Sequence, residues 1–358
     1  MKKLLVLALA IPLASVASAA PKASTPARLV TKSPVAALAA DGGRAALMIP
    51  GREADPARRW QILVWEPASH RLLTIHTERD AYPGEGVALA GTRVAWDDCS
   101  SCYGNTLTTR VSSATLARRS AVSLGSDDGT EVPSGGEVLA PSGDGKLLAY
   151  TDQQRCDESD ENYPCPPGRH TGDVVDATIW RAAPRGHCPS SFSDGDSRRP
   201  GHCARVATAH GRLTVLDVDA GRIAARTDDG VRLLTGAGRR LLDVPVRNVS
   251  GAALSGNRLA VKVPGSLEIY DAGSGKLLAT IPAQSRDRLE LLHAAGYARA
   301  RLGRPGLFIA GGRRVTFTPM ADVRRTLEAG SLNCLSAPQL PRSLRTATQV
   351  TGLGADGS

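Results

Sequence analysis

The cysteines have the spacings that come closest to chemical motifs in this chain of 358 residues. Cys99 and Cys102 form a C-x-x-C pair, which in a reducing compartment indicates a redox dithiol or half of a zinc site. The pair falls in a strand–turn–strand pattern, and the sequence holds no second C-x-x-C. We therefore predict a disulfide across a β-turn, whose two ends lie within bridging distance.

Two His-Cys dipeptides supply a second group of candidate ligands, His187-Cys188 and His202-Cys203. Two His and two Cys form a zinc set in principle, but ligands that are adjacent on the backbone fit a tetrahedral site poorly. A Cys188–Cys203 disulfide is the favoured interpretation. Closing a loop of that size is worth about 3 kcal/mol in the chain-entropy model.

An acidic run, Asp157–Glu161, lies between Cys156 and Cys165. Its carboxylates are oxygen ligands of the kind that Ca²⁺ prefers, but the run lacks the spacing and the glycine of an EF-hand loop. We predict a solvated loop that a Cys156–Cys165 disulfide closes.

Seven cysteines leave one unpaired in any intramolecular scheme. Cys334 has no cysteine near it in the sequence and is therefore the predicted free thiol. An alternative pairing stays open, in which Cys156 joins Cys188 and Cys165 joins Cys203.

Residues for catalysis are not arranged in a local motif. The sequence has no G-x-S-x-G, no H-E-x-x-H and no G-x-x-x-x-G-K-[ST]. We expect no catalytic residues, no metal and no cofactor on this basis. Residues that the fold brings together from distant parts of the chain would escape such a search.

Residues 1–20 have the pattern of a secretory signal peptide. Lys2 and Lys3 form a basic n-region before an apolar stretch. Ala17-Ser18-Ala19 is a small-x-small cleavage site, so we predict export to the periplasm or the exterior with cleavage near Ala19. Seven cysteines suit an oxidising compartment, and no later run is apolar enough to span a membrane.

The charge of the chain is basic, with a formal net charge of +9. Nucleic-acid binding calls for clustered basic residues with interleaved aromatic residues. Here the arginines come in isolated pairs such as Arg58-Arg59 and Arg239-Arg240, and aromatic residues make up only 4% of the chain. We therefore expect no nucleic-acid partner.

The stretch 251–282 shows how the chain is organised. Tight-turn residues separate four short apolar runs with strand periodicity: Ala252–Leu254, Leu259–Val263, Leu267–Asp271 and Leu277–Ile281. Four antiparallel strands in so few residues form a small sheet that must stack on copies of itself to bury both faces.

A turn followed by a basic or polar residue and an alanine-containing strand recurs along the chain. Its anchor positions are Arg44, Arg93, Lys146, Arg222, Arg258 and Tyr297. The intervals resemble those of propeller blades, except for one long interval that contains the cysteine-rich segment. The predicted fold class is all-β, a β-propeller of six or seven four-stranded blades, with a strand near the mature N-terminus completing a blade.

The predicted domain organisation has one large domain. The propeller spans residues 27–318, with residues 155–203 as an insertion on one face of the third blade and Val174–Trp180 as a strand of that blade. Residues 319–329 are predicted as a short helix, and residues 330–358 as a tail that is disordered in part.

At the level of its repeats, the chain resembles exported bacterial β-propellers of the WD-repeat and TolB-like kind. The turn-and-strand motif Asp41–Ala46 and the stretch Ile269–Leu278 carry the resemblance. Within the latter, Tyr270-Asp271 matches the aromatic-Asp pair at the end of the third strand, and Trp65-Glu66 matches it more loosely. Trp96-Asp97 lies on an earlier strand, out of register with true WD repeats.

The resemblance implies a fold and leaves two hypotheses about function, because propellers host many activities. The first is a monomeric, non-enzymatic binding module that presents a face or its central mouth to a protein or a cell-envelope glycan. The alternative is a propeller hydrolase or lyase with a metal in the central channel, which requires carboxylates or His from several blades to converge.

Overall fold

The computed structural model describes residues 26–41, 43–51, 59–79, 81–101, 106–131, 135–182, 203–282, 306–311 and 313–319. Their regular structure consists of 23 β-strands and one 3₁₀ turn at Pro67–Ser69. Within these ranges there is no helix with the length and apolar character that a membrane span requires. The predicted all-β class is confirmed.

Five four-stranded antiparallel sheets follow one another along the chain, and the strands of each sheet are in sequence order. The first sheet consists of β2 (Ala37–Asp41), β3 (Arg44–Pro50), β4 (Trp60–Glu66) and β5 (Arg71–Glu78). The second consists of β6 (Tyr82–Ala90), β7 (Arg93–Ser101), β8 (Thr106–Thr115) and β9 (Val122–Glu131). The third consists of β10 (Gly135–Asp144), β11 (Leu147–Arg155), β12 (Val174–Ala182) and β13 (Cys203–His210).

The fourth sheet consists of β14 (Leu213–Asp219), β15 (Arg222–Thr227), β16 (Gly230–Thr235) and β17 (Arg240–Pro245). The fifth consists of β18 (Gly251–Ser255), β19 (Arg258–Val263), β20 (Ser266–Asp271) and β21 (Leu277–Pro282). These last four strands coincide with the four apolar runs predicted from the sequence.

A sixth sheet joins the two ends of the chain. It consists of β22 (Gly306–Gly311), β23 (Arg314–Pro319) and β1 (Ala27–Val30), in the order β1-β23-β22. The pairing Ala27↔Phe317 to Val30↔Arg314 confirms that an N-terminal strand completes a sheet made by the far end of the chain. Strand pairing across the ends removes an exposed sheet edge.

In each of the first five sheets a connection of the same length joins the first strand to the second. Two residues separate these strands, and the second strand begins at or beside the basic anchor residue. The first five anchors predicted from the sequence therefore occupy equivalent positions. The sixth predicted anchor, Tyr297, lies outside the described residues; β23, the strand that pairs with β1, begins at Arg314.

Small residues on the second strands explain how the sheets approach one another closely. Alanines at the centres of these strands are fully buried: Ala46, Ala95, Ala149, Ala225 and Ala260. The first strands of the first five sheets adjoin in order, so they form the innermost layer. An alanine behind each inner strand keeps the sheet spacing small where blades converge.

Apolar clusters fill the spaces between consecutive sheets from the first to the fifth, and between the sixth and the first. Trp65 of the first sheet meets Phe308 of the sixth edge to face, with ring centroids 5.9 Å apart. Trp60 and Trp96 are fully buried in the cluster between the first and second sheets. Burying such rings contributes strongly to stability, because each removes a large apolar area from water.

The two parts of the predicted cysteine-rich insertion join the third sheet at opposite ends. Val174–Trp180 belongs to β12, the third strand of the sheet, as predicted. However, β12 is antiparallel to both of its neighbours, so the segment before it and the segment after it leave the sheet at opposite ends. The segment 156–173 is therefore separate from the segment 183–202, and only the former lies within the described residues.

The predicted helix begins one residue too early, because Pro319 is the last residue of β23. Residues 320–329, the tail 330–358 and the predicted signal peptide 1–20 lie outside the described residues.

Candidate functional site

The two ends of the stacked sheets carry different connections, and they are called the lower end and the upper end. The lower end carries the two-residue turns between first and second strands. The upper end carries the connections between second and third strands, among them the loop 156–173, here called the disulfide loop. Antiparallel topology places the beginnings of the inner strands at the upper end as well.

A cavity of about 440 Å³ lies among the inner strands of the second, third and fourth sheets. Its walls come from β6, β7, β8, β10 and β14. Three carboxylates line it, those of Asp97, Asp98 and Glu137, together with apolar groups such as Val138 and Leu216. A concave site of this size with few polar groups is typical of small-ligand or peptide-end recognition.

The carboxylate of Asp97 accepts hydrogen bonds from two neighbouring inner strands, β6 and β10. Its Oδ1 atom accepts a hydrogen bond of 2.7 Å from the N–H of Gly86, and its Oδ2 atom accepts one of 3.2 Å from the N–H of Ala140 in the next sheet. Burial raises the pKa of Asp97 to about 6, and these N–H groups oppose that rise in part. The side chain therefore serves as an acceptor for backbone groups that an inner edge strand leaves unpaired.

Asp98 belongs to a charged network at the boundary with the first sheet. Arg110 donates to it through Nε, with a distance of 3.0 Å to Oδ1. Arg110 also lies 3.4 Å from the carboxylate of Glu78, which in turn is 3.4 Å from Nε2 of His76. Burial raises the pKa of Asp98, whereas Arg110 lowers it. The ring of His76 stacks on Trp96, with centroids 4.9 Å apart.

Glu137 is the third carboxylate of the cavity and is likewise engaged. Its Oε2 atom accepts from Nε2 of Gln153 at 2.8 Å and from Nε of Arg155 at 2.9 Å. Gln153 accepts a bond of 3.2 Å from Thr214 of the fourth sheet. Glu137 therefore lies at one end of a polar chain that links the third and fourth sheets.

Side chains of several sheets accept hydrogen bonds from the inner strand of the next sheet or from the turn that follows it. The hydroxyl of Thr109 accepts from the N–H of Val138 at 2.7 Å, and that of Thr151 accepts from the N–H of Val215 at 2.8 Å. At the lower end, Asp219 accepts from the N–H of Gly256 at 2.9 Å. Because an inner strand is a sheet edge, its outward N–H groups need such acceptors.

The first predicted disulfide involves Cys99, which is disulfide-bonded and lies at the wall of the cavity. Cys102 lies outside the described residues. Cys156 and Cys165 are joined by a disulfide, the pair predicted from the sequence. Cys203 is also disulfide-bonded, whereas its predicted partner Cys188 lies outside the described residues.

The zinc and calcium alternatives concern residues that the structure describes only in part. His187, Cys188 and His202 lie outside the described residues, as does Cys334. The acidic run lies in the disulfide loop, where Asp157 accepts from the N–H and hydroxyl of Ser159, both at 2.9 Å. Within the described ranges, no three His, Cys, Asp or Glu side chains are grouped as metal ligands.

Sequence reasoning missed the carboxylates that act between sheets. Asp41 was recognised only as a turn residue, yet its Oδ2 atom accepts from the N–H groups of Gly91, at 2.5 Å, and Gly145, at 2.8 Å. The signal available was repetition, because Asp41, Asp144 and Asp219 each end the first strand of a sheet. Asp97 was also missed, although two consecutive acids inside an apolar strand are unusual.

Comparison with known proteins yields structural similarity alone. No protein-family model matches the sequence, and no curated protein matches it either. Among solved structures, the tricorn protease is similar with a TM-score of 0.46 and 12% identity, over 87% of this chain and 32% of that one. TolB from Acinetobacter baumannii is similar with a TM-score of 0.36 and 14% identity, over 71% of this chain and 55% of that one.

The β-propeller domain of the Trilobed protease from Pyrococcus furiosus is also similar, with a TM-score of 0.34 and 11% identity. That comparison covers 72% of this chain and 86% of the domain. The chain spans about a third of the tricorn protease chain and about half of TolB. Similarity at this level carries no information about activity. The successive antiparallel sheets, their adjoining first strands and the N-terminal strand paired with the far end identify the fold as a β-propeller.

Proposed function

We propose that the protein is an exported, monomeric binding module that holds a protein or cell-envelope ligand at the cavity among its inner strands. The observation that supports this function is the state of the cavity carboxylates. Asp97 binds backbone N–H groups, Asp98 binds Arg110, and Glu137 binds Arg155. Each carboxylate is engaged in a bond that stabilises the fold. The cavity can therefore recognise a ligand by its shape and polarity.

A hydrolase or lyase needs a different arrangement. A general acid or base must be free to exchange a proton with a substrate, and a metal site needs several converging ligands. The inner walls do carry carboxylates, as that alternative requires. Their bonds to Gly86, Ala140 and Arg110 favour a binding role over catalysis.

Site-specific photocrosslinking in the producing cell tests the proposed function. A photoreactive residue replaces Ser142 at the cavity wall in one variant, and the exposed Leu278 on β21 in a control variant. We expect a specific adduct from position 142 and none from position 278. Equal crosslinking from both positions, or none from position 142, would contradict a cavity-centred binding role.

A cavity-filling variant provides the second measurement. Leu139 lines the cavity and is only partly buried, so Leu139→Trp occupies ligand space without opening a core void. Leu277→Trp on the outer strand is the matched control. We expect Leu139→Trp to abolish the adduct from position 142 while Leu277→Trp preserves it. N-terminal sequencing of the exported protein tests cleavage near Ala19.

A further inference from the structure

The wall of the cavity among the inner strands is acidic, although the chain as a whole is basic. Of the described residues that line this cavity, three are acidic and none is Lys, Arg or His. The formal net charge of the chain is +9. Because an anionic ligand would meet carboxylates and no basic side chain at this wall, the cavity favours a cationic ligand.

The positive groups behind the wall do not compensate these carboxylates fully. Arg110 divides its donors between Asp98, at 3.0 Å, and Glu78, at 3.4 Å, so one guanidinium group serves two carboxylates. His76, 3.4 Å from Glu78, adds a positive charge only when it is protonated. The bonds of Asp97 within the described residues come from backbone N–H groups. The remaining negative charge attracts a ligand cation more strongly in a cavity than in open water.

Glu137 has one carboxylate oxygen that accepts nothing from the described part of the chain. Gln153 and Arg155 both donate to its Oε2 atom, at 2.8 Å and 2.9 Å. Glu137 lines the cavity, and its side chain is 20% exposed, so a ligand can reach it. An ionised carboxylate accepts about four hydrogen bonds, so a donor can bind Oε1 without displacing Arg155.

Apolar side chains line other parts of the cavity. Leu139 and Leu216, from the inner strands of the third and fourth sheets, are partly exposed there. A short carbon chain that packs against them removes apolar area from water. The volume of about 440 Å³ accommodates such a chain together with a terminal charged group.

Given the binding role proposed above, on which this step rests, we infer that the cavity binds its ligand through a primary ammonium group. The ammonium donates to Glu137, and the attached carbon chain packs against Leu139 and Leu216. Its three N–H donors and single positive charge match the free acceptor and the excess of carboxylates. A metal cation fits less well, because no three His, Cys, Asp or Glu side chains are grouped as ligands within the described ranges.

Calorimetric titration of the mature protein at constant ionic strength tests the ligand chemistry. The probe is butylammonium chloride, and butyrate and butanol are its anionic and neutral counterparts. We expect one site for butylammonium and no binding of the other two. Alanine amide, Nα-acetyl-lysine amide and glucosamine then compare a peptide amino terminus, a lysine side chain and an amino sugar, each against the form in which its amine is acetylated.

The first variant, Glu137→Gln, keeps the size of the side chain and removes its charge. We expect it to weaken butylammonium binding at least about tenfold, which is the effect of losing one charge-assisted hydrogen bond. The matched control is Glu158→Gln in the disulfide loop, whose carboxylate lies 3.0 Å from Nδ1 of His170 and does not line the cavity. It removes the same charge and should bind like the wild type.

A second variant, Leu139→Lys, leaves the pair between Glu137 and Arg155 in place. The introduced ammonium group competes with the probe inside the cavity, so butylammonium binding should be lost. Leu277→Lys, at an exposed position of the outer strand β21, should retain it. Urea unfolding checks that each variant is folded. If Glu137→Gln does not fold, the comparison of the two lysine variants decides alone.

Equal binding of butylammonium and butyrate would overturn the inference, as would no binding of butylammonium by the wild type. Unchanged affinity in folded Glu137→Gln or Leu139→Lys would contradict it as well. The crosslink from position 142 tests the binding role separately. A crosslink without ammonium binding refutes the ligand chemistry alone, whereas ammonium binding without a crosslink refutes the proposed role in the cell alone.

Discussion

The carboxylate of Asp217 on β14 accepts a hydrogen bond of 2.6 Å from the backbone N–H of Leu254 on β18. The two residues are 37 positions apart and belong to consecutive sheets. The other oxygen of Asp217 accepts from the N–H of Val218 at 2.9 Å. A β-bulge between Val215 and Asp217 turns the side chain toward the neighbouring sheet. Contacts of this kind hold adjacent blades in register.

The raised pKa of Asp217 should make the stability of the protein depend on pH. Burial raises the pKa of Asp217 to about 8, whereas an unfolded aspartate titrates near 3.9. The native state then holds more protons than the unfolded state between these values, so stability falls as pH rises from about 4 to about 8. Asp97, whose pKa burial raises to about 6, adds to the fall over the lower half of that window.

Urea unfolding of Asp217→Asn at several pH values tests this expectation. The variant should be less stable than the wild type at pH 5, because the NH₂ group of the amide cannot accept from the second N–H donor, whereas the hydroxyl oxygen of the protonated acid can. Its stability should change less between pH 5 and pH 8 than that of the wild type. Asp229→Asn, in an exposed turn, is the control and should keep the wild-type slope. Parallel slopes for all three proteins would contradict the assignment.

Asp41 should contribute strongly to stability at the lower end of the innermost layer. Its side chain is buried, and Oδ2 alone accepts from the N–H groups of Gly91 and Gly145. Asp41→Ala leaves both partly buried donors without their acceptor, which costs at most about 1–3 kcal/mol for each. Asp41→Asn retains one oxygen in the same position, so we expect a markedly smaller loss. Equal destabilisation of the two variants, measured by urea unfolding, would show that charge rather than hydrogen bonding matters.

The disulfide of the loop should stabilise the fold without being required for it. Cys156 and Cys165 are nine residues apart, and a closed loop of that length is worth roughly 2–3 kcal/mol in the chain-entropy model. We expect the Cys156→Ser/Cys165→Ser double variant to lose about that much unfolding free energy while keeping a cooperative transition. Cys334→Ser, which alters the cysteine predicted to be free, should leave the transition unchanged. A non-cooperative transition in the double variant would make the loop part of the core.

Substitution of Gly211 should destabilise the protein through a steric clash that substitution of Gly221 does not cause. Its φ is +109°, and a Cβ atom there would approach Oδ2 of Asp228 to 2.5 Å and the guanidinium of Arg169 to 2.9 Å. Gly221 also has a positive φ, of +77°, but a Cβ atom there meets nothing within 4 Å. Gly211→Ala should therefore destabilise more than Gly221→Ala. Thermal unfolding compares the two variants directly.

The sheets of this protein could be predicted from the sequence because their signals are local. Alternating apolar residues and tight-turn residues within a few positions define each strand, as the agreement over residues 251–282 shows. The disulfide between Cys156 and Cys165 was predictable for the same reason, since its cysteines are close in the chain. Anchors such as Arg44 and Arg258 repeat because every sheet begins its second strand after the same two-residue turn.

Only the tertiary structure decided which residues meet between sheets. Asp217 and Leu254, or Arg169 of the disulfide loop and Asp228, come together through the packing of separate sheets, and no short-range pattern records these contacts. The anchor predicted at Tyr297 lies outside the described residues and stays a prediction. The pairing of β23 with β1, which begins at Val30↔Arg314, joins opposite ends of the chain and leaves no local signal in the sequence. Periodicity determines strands, whereas the partners of buried charges depend on contacts between residues that are distant in sequence.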